Sequence, residues 1–183
     1  MYTFVRMNEV PPVFWANVQT SANPSLGTIA LKPLCDSALY RGELICMKSM
    51  ESVQDDLVST FLALGDEFNQ YSYLIDLSAK LPPMPETAKN DDSLVRNCQS
   101  DVWMQIDKDA DSRIHLAADS DAFILRGVLY TVYLIFENRS PSEIESFSFE
   151  FIDRTALRNV FSSSRRSGIT GIIALIQKTA QEE

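Results

Sequence analysis

The chain has 183 residues, 45% of them hydrophobic, and a formal net charge of −9, which suits one compact domain with a buried core. The acidic balance excludes a basic surface able to displace counterions from a nucleic acid, and no run of about 20 apolar residues is present to cross a membrane. Three widely separated cysteines, Cys35, Cys46 and Cys98, have neither metal-ligand spacing nor the even count of a disulfide framework; the chain reads as a soluble protein of a reducing, cytoplasmic compartment.

Residues 1–46 stand apart. They carry Pro11, Pro12, Pro24 and Pro33, show no sustained periodicity, and balance their charges, so all the net negative charge lies beyond them. The expected boundary leaves an N-terminal extension over 1–46 and a folded unit over 47–183. The extension is open to three readings: a transit segment into a plastid or other organelle, a poorly ordered leader, or sequence ahead of a start at Met47 or Met50. Glu9, Asp36 and Glu43 weaken the first.

From Glu51, the spacing of Val53, Leu57, Phe61 and Leu64 predicts an amphipathic helix stopped near Gly65. A second helix follows, with Phe68, Tyr71, Leu74, Ile75 and Leu81 as its apolar stripe and Pro82-Pro83 as its end. Residues 84–97 read as loop with one short helical turn. Val102, Met104 and Ile106 then alternate with polar neighbours, as do Ile114, Leu116 and Ala118, and residues 108–112 between them are turn formers, which predicts an antiparallel hairpin.

Asp119, Ser120 and Asp121 offer acceptors for the free amides opening a helix over 122–136, apolar on most sides and therefore central. Ser140-Pro141-Ser142-Glu143 carries a capping box with proline at the first helical position. Phe147, Phe149 and Phe151 alternate, as a third short strand or an extended loop would. A helix over 153–161 and a last one opening in Ser162-Ser163-Ser164, with Ile169, Ile172, Ile173 and Ile176 inward, complete an α+β fold: a small antiparallel sheet of about three strands covered by helices.

The sole histidine, His115, lies on the Arg113 face of its strand without a second imidazole for a metal site. Asp107, Asp109 and Asp111 resemble the start of a calcium loop but lack its glycine and closing glutamate, so a solvated turn is expected. No Gly-rich phosphate loop or Gly-x-Ser-x-Gly elbow occurs. Cys98 differs from a core cysteine, because Arg96-Asn97 precede it and Gln99-Ser100 follow it. Asparagine tolerates a left-handed turn, and a nearby cation favours thiolate. Local features leave two readings: a functional thiol, or a cysteine packed against the sheet edge. Cys35 and Cys46 read as structural or incidental.

Four ordered blocks carry a family resemblance: Tyr73-Leu74-Ile75-Asp76-Leu77 with Leu81-Pro82-Pro83; Val95-Arg96-Asn97-Cys98-Gln99-Ser100 with Val102-Trp103; Ala118-Asp119-Ser120-Asp121-Ala122 with Arg126-Gly127; and Ser162-Ser163-Ser164-Arg165 with Gly168. From about residue 53 to 177 the chain resembles the SufE family of sulfur acceptors, CsdE-type proteins included. It departs from the family pattern in having Asn97 in place of a glycine, Ser163 in place of a proline, and Ser167 in place of asparagine or glutamine.

The resemblance implies a fold shared with IscU-type scaffolds. It also implies that Cys98 receives sulfane sulfur, as a persulfide, from a PLP-dependent cysteine desulfurase of SufS or CsdA type, activating that enzyme for iron–sulfur cluster assembly on a SufBCD-like scaffold complex. Arg165 and Asp121 match polar positions near the acceptor loop, Arg165 ranking above Asp121, whose other reading is a cap on the central helix; Arg165 could instead pair with acidic surface or a helix terminus. The implied protein is a sulfur-transfer accessory rather than an independent enzyme, a monomer or weak dimer with no cofactor or metal of its own, binding neither nucleic acid nor membrane. The alternative is a non-transferring scaffold or adaptor of IscU-like fold that binds metal or a partner, for which Cys98 and His115 make a thin ligand set.

Overall fold

The structure, a computed structural model, describes residues 48–96 and 98–182. Residues 1–47, with Cys35, Cys46 and the expected domain boundary, lie outside the described residues, as do Asn97 and Glu183. The order is α1 (Met50–Ala63), α2 (Glu67–Leu77), β1 (Val102–Lys108), β2 (Ile114–Ser120), α3 (Phe123–Phe136), α4 (Pro141–Ser146), α5 (Leu157–Val160) and α6 (Ser163–Gln181). No helix among the described residues is long and apolar enough to cross a membrane.

Local chemistry accounts for most boundaries. Ser49, Asp66 and Ser162 cap α1, α2 and α6 with side-chain oxygens that accept free first-turn amides. Ser140 and Glu143 form the reciprocal capping box of α4. α1 stops where Gly65 takes a φ of 84°. β1 and β2 pair antiparallel with Val102 opposite Ser120 and Lys108 opposite Ile114. Their turn is built by Asp109, whose Oδ1 accepts the amides of Asp111 at 2.9 Å and Arg113 at 2.8 Å. A carboxylate oxygen committed to the turn's own amides fits the solvated turn better than a calcium loop.

Four expectations are corrected. Phe68 does not belong to the apolar stripe of α2; it is 76% exposed, and the buried face is Gln70, Leu74 and Leu77. A glutamine can be buried there because its amide is paired at both ends, donating to the Gly65 carbonyl at 3.1 Å and accepting the Ala156 amide at 2.9 Å. That second bond takes the Ala156 amide out of local helical pairing, and the helix expected over 153–161 shortens to α5 (Leu157–Val160).

Among the described residues the sheet has two strands, not about three. Residues 147–151 keep the alternating burial of a strand, but side-chain amides satisfy their backbone: Gln54 accepts the Glu150 amide at 2.8 Å and donates to the Ser148 carbonyl at 3.2 Å, and Gln177 donates to the Phe147 carbonyl at 3.0 Å. Without a neighbouring strand, alternation yields an extended segment rather than a sheet member. Finally, the acids before α3 do not cap it. Its N-cap is Ala122, without a side-chain bond, and Asp119 is turned inward.

The core centres on α3, which packs against α1, α2 and β2. Its closest approach is at Gly127, where an added Cβ would fall 2.0 Å from the Leu74 carbonyl oxygen. A glycine is therefore required at that crossing. Gly127→Ala should force α2 and α3 apart and lower stability by about 3 kcal/mol or more, as overpacking of a tight core does. Chemical denaturation measures this, and an unchanged midpoint would refute the close approach.

Candidate functional site

Cys98 is held between two anchored points. On the entering side the Val95 amide donates to the Val102 carbonyl at 2.7 Å and the Met104 amide to the Ser93 carbonyl at 2.8 Å, so residues 93–95 run beside β1. On the leaving side the Asp101 carbonyl accepts the Ser120 hydroxyl at 2.7 Å and the Asp121 amide at 3.2 Å. The sheet edge thus clamps both ends of the segment that carries the thiol.

The Cys98 side chain is half-buried in a cleft lined by Leu125 of α3 and by Arg165, Gly168, Ile169 and Ile172 of α6, with Gln99 and Ser100 at its rim. The free space is about 10 Å³, room for about one water. Gly168 passes so close that a Cβ there would lie 3.3 Å from the Cys98 Sγ. Burial in these surroundings pushes the thiol pKa up, because desolvation penalises the thiolate. Both local readings of Cys98 therefore contain part of the geometry: it is tucked against α3 and α6, and it sits in a polar loop next to a cation.

Of the two polar residues singled out with Cys98, the structure brings one to the thiol's cleft. Arg165, in the first turn of α6, lines it, and no ion pair ties its guanidinium down among the described residues. Asp121 contributes its backbone amide to the loop, whereas its exposed carboxylate lines a separate concavity of about 420 Å³ with Glu86, Lys89, Trp103, Phe123 and Arg126.

Beneath that concavity lies an acid that sequence reasoning assigned to capping. Asp119 is only 6% exposed and is met by Lys89 Nζ at 2.7 Å, Arg126 Nη1 at 3.2 Å and the Ser120 amide at 2.8 Å. Burial alone would raise its pKa; the Lys89 ammonium, the Ser120 amide and the Arg126 charge outweigh that and hold it below the usual carboxylate range. The pair with Lys89 fastens the loop ahead of Cys98 to β2. Strand periodicity gave no sign of this, because residue 119 is covered by a loop rather than by the core.

His115 is far from a lone imidazole. Its Nδ1 meets Glu137 Oε1 at 2.8 Å and its Nε2 meets Asp109 Oδ2 at 3.3 Å, while Glu137 Oε2 accepts the Leu116 amide at 2.8 Å. These bonds tie the hairpin to the end of α3. Among the described residues no three His, Cys, Asp or Glu side chains are grouped to hold a metal.

A family profile described as SufE, Fe-S metabolism associated domain, matches residues 55–180. Among solved structures, the solution structure of a hypothetical protein from Thermus thermophilus superposes with a TM-score of 0.56 at 16% identity, covering 72% of this chain and 93% of that one. At that identity the likeness is one of fold.

The histidine cluster yields a pH prediction. The Glu137 bond, then the Asp109 bond, raise the His115 pKa above its ordinary value. A raised folded-state pKa gives stability that is complete below about pH 6.5 and lost as pH rises through the folded value. Stability should therefore decline as pH rises above about 6.5 and through the raised folded value, and His115→Gln should flatten the decline. His115 is the only histidine in the chain, so an unchanged slope in the variant, read by denaturation across that range, would refute the assignment.

Proposed function

The chain belongs to the SufE family of Fe-S metabolism associated domains, and from that premise we propose that it accepts sulfane sulfur on Cys98 from a PLP-dependent cysteine desulfurase. It stimulates that enzyme by clearing its sulfur, and it delivers the sulfur to an iron–sulfur scaffold. The observation that carries this reading is a single thiol seated beside Arg165 in a small apolar cleft, on a segment clamped at both ends.

The thiolate is the nucleophile in sulfur exchange. Cys98 Sγ attacks the outer sulfur of the donor's persulfide; a new S–S bond forms as the donor's S–S bond breaks, and the donor cysteine leaves as thiolate. The Cys98 proton goes to solvent, and no net oxidation occurs. In its seated position Cys98 is disfavoured as an anion by burial, so attack requires the side chain to leave the cleft. Arg165 at the cleft then supplies positive charge to the thiolate and, after transfer, to the persulfide anion. Return to the cleft shields the load from bulk thiols and oxidants.

Incubation with an active desulfurase and cysteine should add the mass of one sulfur atom at Cys98, seen on the intact chain under non-reducing conditions and placed by peptide mapping. Cys98→Ser should abolish both the adduct and the stimulation of sulfide release while changing stability by less than about 1 kcal/mol. An adduct on Cys35 or Cys46 instead, or full stimulation by Cys98→Ser, would refute the relay. Arg165→Ala should slow sulfur acceptance about tenfold, the weight of one charge-assisted contact, with the thermal midpoint nearly unchanged; wild-type transfer rates in that variant would remove Arg165 from the site.

A further inference from the structure

α6 is a 19-residue helix, Ser163–Gln181, with two glycines in its interior, Gly168 and Gly171. Glycine weakens a helix interior at either position, yet the two stand in different surroundings. A Cβ at Gly171 would meet nothing within 4 Å, whereas a Cβ at Gly168 would meet three atoms of one residue: Cys98 Sγ at 3.3 Å, Cα at 3.8 Å and Cβ at 4.0 Å. The other walls of the cleft, Leu125, Ile169 and Ile172, are buried core residues without freedom to retreat. The short stretch that carries Cys98 between the anchored residues Val95 and Asp101 is the partner able to yield.

We propose that Gly168 is the positioning residue that sets how far the acceptor thiol is sheltered. Its bare backbone is the floor on which Cys98 seats, and a side chain there makes the Cys98 side chain give way by at least a few tenths of an ångström, which biases it toward the form that displays the thiol. The proposal deepens the reading of Cys98 as a sulfur acceptor and rests on it for its biological meaning. The seat itself is a matter of packing. With room for about one water beside Sγ, an electrophile larger than water reaches the sulfur more readily from the displayed form, so its rate rises with the displayed fraction. A deep seat protects a reactive sulfur; a shallow one exchanges it faster. Glycine at this point chooses protection at the expense of helix stability.

Gly168→Ala and Gly171→Ala form a matched pair on the full-length chain, since both add the same methyl to the same helix and the first alone meets Cys98. Alkylation by iodoacetamide, followed at Cys98 by peptide mapping, should run about tenfold faster in Gly168→Ala than in wild type, in proportion to the displayed fraction, and at the wild-type rate in Gly171→Ala. The pH midpoint of alkylation should move down in Gly168→Ala alone, because a displayed thiol is no longer desolvated and Arg165 is the charged side chain lining its cleft. Equal rates in Gly168→Ala and wild type, or the same rise in both variants, would overturn the proposal. If Gly168→Ala does not fold, adding Cys98→Ala, which removes the sulfur it meets, must restore folding; failure to restore it would also overturn the seat. With a desulfurase present, Gly168→Ala should accept sulfur faster and lose it faster to added thiol. Faster alkylation without any change in sulfur acceptance would uphold the seat and count against the relay.

Discussion

The close crossing of α3 over α2 organises the molecule. At Gly127 the two backbones approach so nearly that a methyl group would fall 2.0 Å from the Leu74 carbonyl oxygen. The residues just before that contact take their positions from it. Arg126 reaches Asp119 under the loop that precedes Cys98, and Leu125 forms a wall of the thiol's cleft. Core packing, the buried ion pair and the candidate site therefore share one short piece of helix. A change in the α2–α3 spacing would reach the cleft through rigid, close-packed side chains rather than through the loop.

A second theme is the use of side-chain amides in place of a sheet. Gln54, Gln70 and Gln177 each pair with backbone groups of distant segments. A buried peptide group left unpaired is costly, and a glutamine amide presents the same donor and acceptor as another strand would. Among the described residues this lets a two-stranded hairpin serve as the sheet, with the extended residues 147–151 held to α1 and α6 instead.

The electrostatics of the site fit a thiol that waits rather than one that is permanently activated. The protein is acidic, but the charged side chain among those lining the Cys98 cleft is cationic Arg165. In the seated geometry desolvation by burial pushes the thiol pKa up. Once the side chain moves into water that penalty falls, and the same cation favours the anion. In the proposed relay, reactivity would be coupled to a conformational step, with the depth of the seat on Gly168 as its proposed control.

Local signals in the sequence determined the parts that depend on local chemistry. The capping box at Ser140 and Glu143, the opening of the last helix at Ser162, the hairpin alternation around a turn-forming link, and the central apolar helix were all legible, because each rests on contacts within a few residues. The ordered blocks around Cys98 gave the family in the same way. The tertiary structure decided what depends on partners distant in the chain. Phe68 and Gln70 exchange the burial that hydrophobicity assigns them because Ala156, far along the chain, supplies the glutamine's partner. Asp119 is an ion-pair centre rather than a cap because a loop folds over it with Lys89. Arg165 shares the cleft of Cys98 while the Asp121 carboxylate faces another concavity, and Gly168 becomes the floor of that cleft only when α6 lies against the loop. Periodicity reports which face of an element is buried; it carries no information about what that face will meet.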